Sequence, residues 1–205
     1  MNASMLFECH RFGSSETILS ADELTREHKF LILHGGEDIS PSYYGEVPIK
    51  TSAKSVPSLR DKLEVEALKR AWELDIPVLA ICRGAQLACA IQGGGMFQDV
   101  PGHVGEDHIL VIPEENNRII MTNTCHHQMM IPKDGHVLAH GGKVNRRRFK
   151  GKEYVVETME EPEVVYWKDT RTLGVQGHPE WDHSRNSIYD YTKSLMFKLF
   201  GVEYV

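Results

Sequence analysis

The sequence has no CxxC pair. Its four cysteines, Cys9, Cys82, Cys89 and Cys125, follow no regular spacing, so they read as reduced thiols in a reducing compartment. No apolar run reaches the roughly 18 residues of a membrane span. The opening "MNASMLFECHRFG" lacks an apolar core segment, so no signal peptide is expected and the cytoplasm is the expected location. There is no positive surplus: the net charge of −6 argues against general nucleic-acid binding. Internal repeats, low-complexity segments and linkers are also missing, and one domain spanning residues 1–205 is expected. What is present is ordinary for a globular chain. Of 205 residues, 41% are hydrophobic and 25% charged, enough to bury a sizeable core. Eleven histidines is a high count.

In the first half, "KFLILHGGEDISP" reads as a short buried strand over Phe30–Leu33 ending in Gly35-Gly36. "SLRDKLEVEALKRAWELD" reads as a helix. Ser58 and Asp61 form a capping box, and Leu63, Ala67, Leu68, Ala71 and Leu74 make one apolar face. "IPVLAI" is continuous and apolar, as buried parallel strands are. Strand, helix and strand in that order predict a βαβ unit.

In the second half, "HILVIP", "RIIMTN", "HVLAHGG" and "EYVVETM" are short strand-like runs. Val164–Trp167 and Leu173–Gln176 read as a hairpin. "SRNSIYDYTKSLMFKLFGVEYV" reads as a helix with Ser184 as its cap and Ile188, Tyr191, Leu195 and Leu199 on one face. The expected fold is α/β and three-layered, a mostly parallel central sheet with antiparallel additions.

The strand "IPVLAI" ends abruptly in Cys82, followed by Arg83 and Gly84. A strand-to-helix turn lifts a side chain into the crevice at the carboxyl ends of the strands. The helix N-terminus beneath it supplies unpaired N–H groups and partial positive charge, which favour a thiolate. The alternative is a buried cysteine acting as a small hydrophobe, the ordinary fate of a free thiol; that reading holds for Cys89. A nucleophilic thiol needs a base, and the base an orienting group. In "GVQGHPE", His178 and Glu180 stand two residues apart and share a side in an extended segment. The alternative is a loop histidine and a surface glutamate.

Taken together, these segments resemble the class I (triad) glutamine amidotransferase superfamily, and most closely its peptidase C26, γ-glutamyl-γ-aminobutyrate hydrolase branch. "LHGGEDISPSYYGE" is similar to the family's Gly-Gly-x-Asp loop. "RDKLEVEALKRAWELDIPVLAICRG" resembles its Arg-Asp-x-x-Glu helix leading to the nucleophile strand. "CRGAQLACAIQGGGMFQDVPGH" is similar to its Cys-Arg-Gly-x-Gln turn. "NTCHHQ" resembles its Asn-Ser-x-His-His-Gln loop, and "GVQGHPE" its His-Pro-Glu end. The resemblance implies a flavodoxin-like α/β fold and a cysteine hydrolase of γ-glutamyl amides. In that reading Cys82 is the nucleophile, His178 the base and Glu180 its orienter. Gly36 and Arg83 are oxyanion N–H donors, and Gln86, His127 and Gln128 contact the substrate. No metal and no organic cofactor are implied. The substrate is a small γ-glutamyl molecule. A synthetase receiving ammonia is the alternative context, and a non-catalytic binding protein that has kept the fold is the third reading.

Three departures from the family pattern carry expectations. Ala80 stands where a glycine is usual and predicts crowding below the elbow. Gly177 stands where an aromatic is common and predicts open space near His178. Only about 30 residues precede the Gly-Gly loop, which predicts a trimmed sheet edge; there "MLFECHRF" reads as a strand and "SADELTREH" as a short helix. The basic run "KVNRRRFKGK" reads as a solvated hairpin tip, or else as a patch for an acidic partner. His136 and His140 are too far apart along a strand, about 13 Å, to share an ion. His103 and His108 show no third ligand nearby in the sequence. Asp38 reads as a turn cap.

Overall fold

The structure, a computed structural model, describes residues 16–202 apart from 101, 106, 151–152 and 182–186, with only the backbone of 143–150 and 153–159. Among the described residues, nine strands and three α-helices are present. The strands are β1 (Leu31–Leu33), β2 (Val78–Ile81), β3 (Gly95–Phe97), β4 (His108–Ile112), β5 (Arg118–Thr122), β6 (Met129–Ile131), β7 (His136–Lys150), β8 (Glu153–Trp167) and β9 (Thr172–Val175). The helices are α1 (Leu59–Glu73), α2 (Arg83–Ile91) and α3 (Ile188–Phe200).

Seven strands make one mixed sheet in the order β1-β2-β9-β8-β7-β4-β5. β1, β2 and β9 run parallel to one another, and β8, β7, β4 and β5 continue antiparallel from β9. The expected α/β class with a parallel core therefore stands, but the sheet is mixed rather than mostly parallel: two of its six pairings are parallel and four antiparallel, because the second-half strands follow one another as hairpins. β3 and β6 form a separate antiparallel pair that the sequence reading passed over, being three residues each. α1 and α2 pack on one face, where Leu68, Ala71, Ala85 and Ala88 meet Val78, Ala80 and Val165. α3 packs on the other through Ile188, Tyr191, Leu195 and Met196 against Leu79, Ile81, Leu173 and Val175. These are the three layers expected.

The α1 capping box is present: Asp61 N donates to Ser58 Oγ at 3.1 Å and Ser58 N to Asp61 Oδ2 at 2.8 Å. Of its expected face, Ala67, Leu68 and Ala71 are buried, but the N-terminal part is rotated: Leu63 is exposed, and Asp61 and Val65 point inward instead. The cause is Asp61, whose carboxylate must reach a buried arginine and carries its i+4 and i+7 neighbours in with it. α3 is capped by Ser187, whose hydroxyl accepts from Tyr189 N at 3.2 Å; Ser184 lies outside the described residues. "SADELTREH" forms only a 3-10 turn at Ala21–Glu23, and "MLFECHRF" lies outside the described residues.

The basic run is not confined to a hairpin tip. It occupies the distal half of β7, where the register sets Lys143 opposite Glu160, Arg146 opposite Glu157 and Lys150 opposite Glu153. No helix among the described residues is long and apolar enough to cross a membrane.

Candidate active site

Parallel neighbours end on the same side of a sheet, so β1, β2 and β9 deliver their following residues to one crevice. Gly35 and Gly36 follow β1, Cys82 follows β2, and His178 follows β9. A methyl group placed on Gly35 would stand 2.6 Å from His178 Cε1 and 3.5 Å from Cys82 Cβ. The thiol and the imidazole, 96 positions apart in the chain, thus converge on one glycine, which must lack a side chain to admit them both.

Cys82 sits at the turn into α2 with φ 49° and ψ −109°. A non-glycine residue there carries about 1–3 kcal/mol of backbone strain. The surroundings hold it. Cys82 N donates to Val175 O at 2.7 Å, and Gln86 N donates to Cys82 O at 3.0 Å. Gly84 packs against the backbone of Leu33, where any side chain would collide. Ala80 is fully buried, yet its register partner on β9 is Gly174, which relieves the crowding expected from losing a glycine at this position.

The Arg83 side chain runs back under the turn and is buried. Its Nη2 donates to Asp61 Oδ1 at 2.5 Å and its Nη1 pairs with Glu64 Oε2. Glu64 Oε1 also accepts from Arg60 Nε at 2.7 Å. Arg60 Nη2 in turn donates to Gly35 O at 2.9 Å. The Arg-Asp-x-x-Glu segment of α1 therefore couples the cysteine turn to the Gly35-Gly36 loop. Sequence reasoning noted this segment without giving it a task; the signal was three charges at i, i+1 and i+4 on a helix otherwise packed on a sheet.

His178 Nδ1 lies 2.8 Å from Glu180 Oε1, and both side chains are buried. Because a carboxylate accepts, Nδ1 carries the proton and Nε2 is left as a base. Trp181 stacks on the imidazole, with ring centroids 3.7 Å apart and planes within 3°. The open space expected at Gly177 is absent: Thr122 Oγ1 and Asn123 occupy it. Asn123 brackets His178, accepting from its N–H at 2.7 Å and donating Nδ2 to its carbonyl at 2.8 Å. Asn123→Ala should lower kcat by about 10²-fold with KM little changed. Steady-state kinetics on a γ-glutamyl amide checks this, and a raised KM at unchanged kcat would count against a positioning role.

Burial pushes the Cys82 thiol up to about 12; the Arg83 N–H opposes this, and the charge of Glu180 adds to it. The thiolate expected from the helix N-terminus is therefore not the resting state, because desolvation outweighs the helix end. Cys89, in the core of α2, is likewise pushed up to about 12 by burial. Unfolded thiols ionise near 9, so between about pH 9 and 12 the unfolded chain holds fewer protons than the folded one, and stability falls as pH rises. By pH 10 each thiol should contribute a loss of about 1.4 kcal/mol. Urea midpoints at pH 8 and pH 10 measure it; Cys82→Ala and Cys89→Ala should each flatten that slope.

Of the residues expected to contact substrate, Gln86 is buried and donates to Gln128 O at 3.1 Å. His127 is half-exposed and pairs with Asp38 at 3.0 Å. Asp38 also accepts from Ser52 N and Thr51 Oγ1, the turn-capping role expected of it. The Gln128 carboxamide is buried beside the Tyr44 hydroxyl, without a well-directed bond on either group. His126 does not join His127. It points inward, its pKa pushed down to about 3 by burial and by the neighbouring His103. His103 and His108 meet a third group, Glu163 on β8, with one polar atom of each within 4.8 Å of the others. His136 and His140 pair separately, with Glu114 and Glu160. Cys89 is a core residue, Cys125 is exposed, and Cys9 lies outside the described residues.

An α/β sheet with a cysteine at a strained strand-to-helix turn, facing a His–Glu pair from a neighbouring parallel strand, defines a class of elbow-type α/β proteins. The peptidase C26 family model matches residues 17–180, and the chain belongs to that family. It is 35% identical to a glutamine amidotransferase-like YvdE homologue of Lactococcus lactis subsp. cremoris, over 49% of this chain and 62% of that protein. It is 30% identical to the glutamine amidotransferase-like protein YvdE of Lactococcus lactis subsp. lactis, over 87% of this chain and 81% of the relative. A crystal structure of a glutamine amidotransferase from Thermotoga maritima aligns with a TM-score of 0.43 at 16% identity, covering 67% of this chain and 56% of that one.

Proposed function

We propose that the chain hydrolyses γ-glutamyl amides through a thioester on Cys82. The observation that carries this reading is the convergence of Cys82 and the His178–Glu180 pair on Gly35. In the resting site the sulfur is a thiol. As Sγ attacks the γ-carbonyl, its proton passes to His178 Nε2, and Glu180 on Nδ1 stabilises the imidazolium. The carbonyl oxygen, now an oxyanion, accepts from the N–H groups of Gly36 and Arg83, each worth about 3 kcal/mol. His178 then gives its proton to the amine as the C–N bond breaks. Water, deprotonated by His178, attacks the thioester and releases glutamate and the thiol. Gln86, His127 and Gln128 bind the glutamate head. The buried Gln128 carboxamide supports this, since a polar group lacking well-formed bonds is satisfied by a ligand's amino or carboxylate group.

The test is turnover by the isolated chain on glutamine and a panel of γ-glutamyl amides, γ-glutamyl-γ-aminobutyrate among them. Release of glutamate without a partner is the expected result. Ammonia release from glutamine that appears only after a synthetase is added would favour an ammonia-supplying subunit instead. No turnover of any member, and no labelling of Cys82 by a γ-glutamyl diazoketone, would favour a binding protein.

A further inference from the structure

We infer that the chain carries a transition-metal site of the kind zinc occupies, built by His103, His108 and Glu163 beside the candidate active site. One donor atom from each of His103, His108 and Glu163 lies within 4.8 Å of the others. Glu163 Oε1 stands 3.3 Å from His108 Nε2 and 3.9 Å from His126 Nε2. Neither contact is a hydrogen bond. Both ring nitrogens and both Glu163 oxygens are buried without one. The 3.3 Å separation of Glu163 Oε1 and His108 Nε2, without donor–acceptor alignment, is the spacing of two ligands on one ion. Nitrogen and oxygen ligands 2.0–2.1 Å from a tetrahedral ion stand about 3.3 Å apart.

Charge and tautomer point the same way. Glu163 is 0% exposed, and a buried carboxyl group whose oxygens lack aligned donors is a costly arrangement that a bound cation would satisfy. The His126 ring beside the site is fixed from behind, its Nδ1 donating to Gln128 O at 2.9 Å. That leaves its Nε2 lone pair 3.9 Å from a Glu163 oxygen, a repulsive pairing that a cation on the carboxylate relieves. Glu161 Oε2, 3.3 Å from His103 Nε2, supplies the carboxylate that orients a metal-bound imidazole. Gly141 keeps the space clear, since a methyl there would stand 3.0 Å from Glu161 Oε2. Imidazoles with one carboxylate suit zinc, cobalt or nickel, whereas magnesium and calcium take all-oxygen sets.

The three ligands come from the segment before β4, from β4 and from β8, so no sequence window holds more than two of them. An ion there would tie the segment before β4 to the sheet, with His126 of the 122–128 loop packed against it. That loop carries Asn123, which brackets His178. Glu163 O accepts from Gln176 N at 2.8 Å. The site is structural in this reading and stands apart from the hydrolase proposal.

The experiment uses the full chain with Cys82→Ser, which removes the Cys82–His178 pair as a competing sulfur–imidazole site. The chain is stripped with a chelator, and cobalt(II) and zinc(II) are added back. One equivalent should bind, giving cobalt visible bands with no thiolate charge-transfer band. Saturating zinc should raise the Tm by about 5 °C or more. Glu163→Gln and His108→Asn should each weaken binding by about tenfold or more, while the surface change His136→Asn leaves it unchanged. If Glu163→Gln does not fold, His108→Asn decides, because that ring is half-buried. Binding unaffected by either substitution, less than one equivalent bound, or a Tm indifferent to zinc would overturn the site and leave a proton shared among these side chains.

Discussion

Cys82→Ala should abolish turnover of a γ-glutamyl amide, a loss of at least about 10⁴-fold in kcat, while Cys89→Ala should leave kcat within about twofold. Both thiols are buried and both are pushed up to about 12, so neither burial nor acidity tells them apart. Position does. Cys82 sits at the carboxyl end of β2, in the strained turn facing His178. Cys89 is about two turns further along α2, packed in the core with Leu68, Ala71 and Met130. Cys89→Ala should act on stability instead, through the small cavity it leaves. Similar losses of kcat at both positions would contradict the assignment.

The second large effect is on stability. Arg83→Leu should destabilise the fold by about 3–5 kcal/mol, because it leaves the buried Asp61 carboxylate without its main partner. Glu64 would keep Arg60, so most of the penalty falls on Asp61. The double variant Arg83→Leu/Asp61→Leu should recover part of the loss by removing that stranded charge. Urea unfolding of the four chains measures the coupling. Additive losses would mean that the arginine and the aspartate do not act as a pair. Activity should fall with Arg83→Leu as well, since the same side chain braces the Cys82 turn and, through Glu64 and Arg60, the Gly35 loop.

The sequence exposed the parallel core because its signals are local. "IPVLAI" is a continuous apolar run, and the Ser58–Asp61 box marks a helix start within four residues. Cys82, His178 and Glu180 were readable because each sits at an element end with a recognisable neighbour, Gly84 after the thiol and Pro179 between the base and its orienter. What was hidden depends on contacts across the chain. The inward turn of α1 toward Asp61 follows from a charge on α2, and no periodicity within α1 contains it. The bracket around His178 comes from Asn123, 55 positions away. The thiol's acidity was misjudged because a helix N-terminus is visible in sequence and the depth of burial is not. Gly177 misled for the same reason: a missing side chain looks like space until Thr122 and Asn123 are seen to fill it.

The hydrolase account stands on a covalent bond that can be weighed. The chain is mixed with a γ-glutamyl amide, quenched in acid within the first turnovers and digested, and the peptide containing Cys82 is analysed by mass spectrometry. A γ-glutamyl group should be found on that peptide, should be released by hydroxylamine as a thioester is, and should be missing from the Cys89 peptide if the two are separated. A chain that turns the substrate over while Cys82 never carries the acyl group would contradict the account.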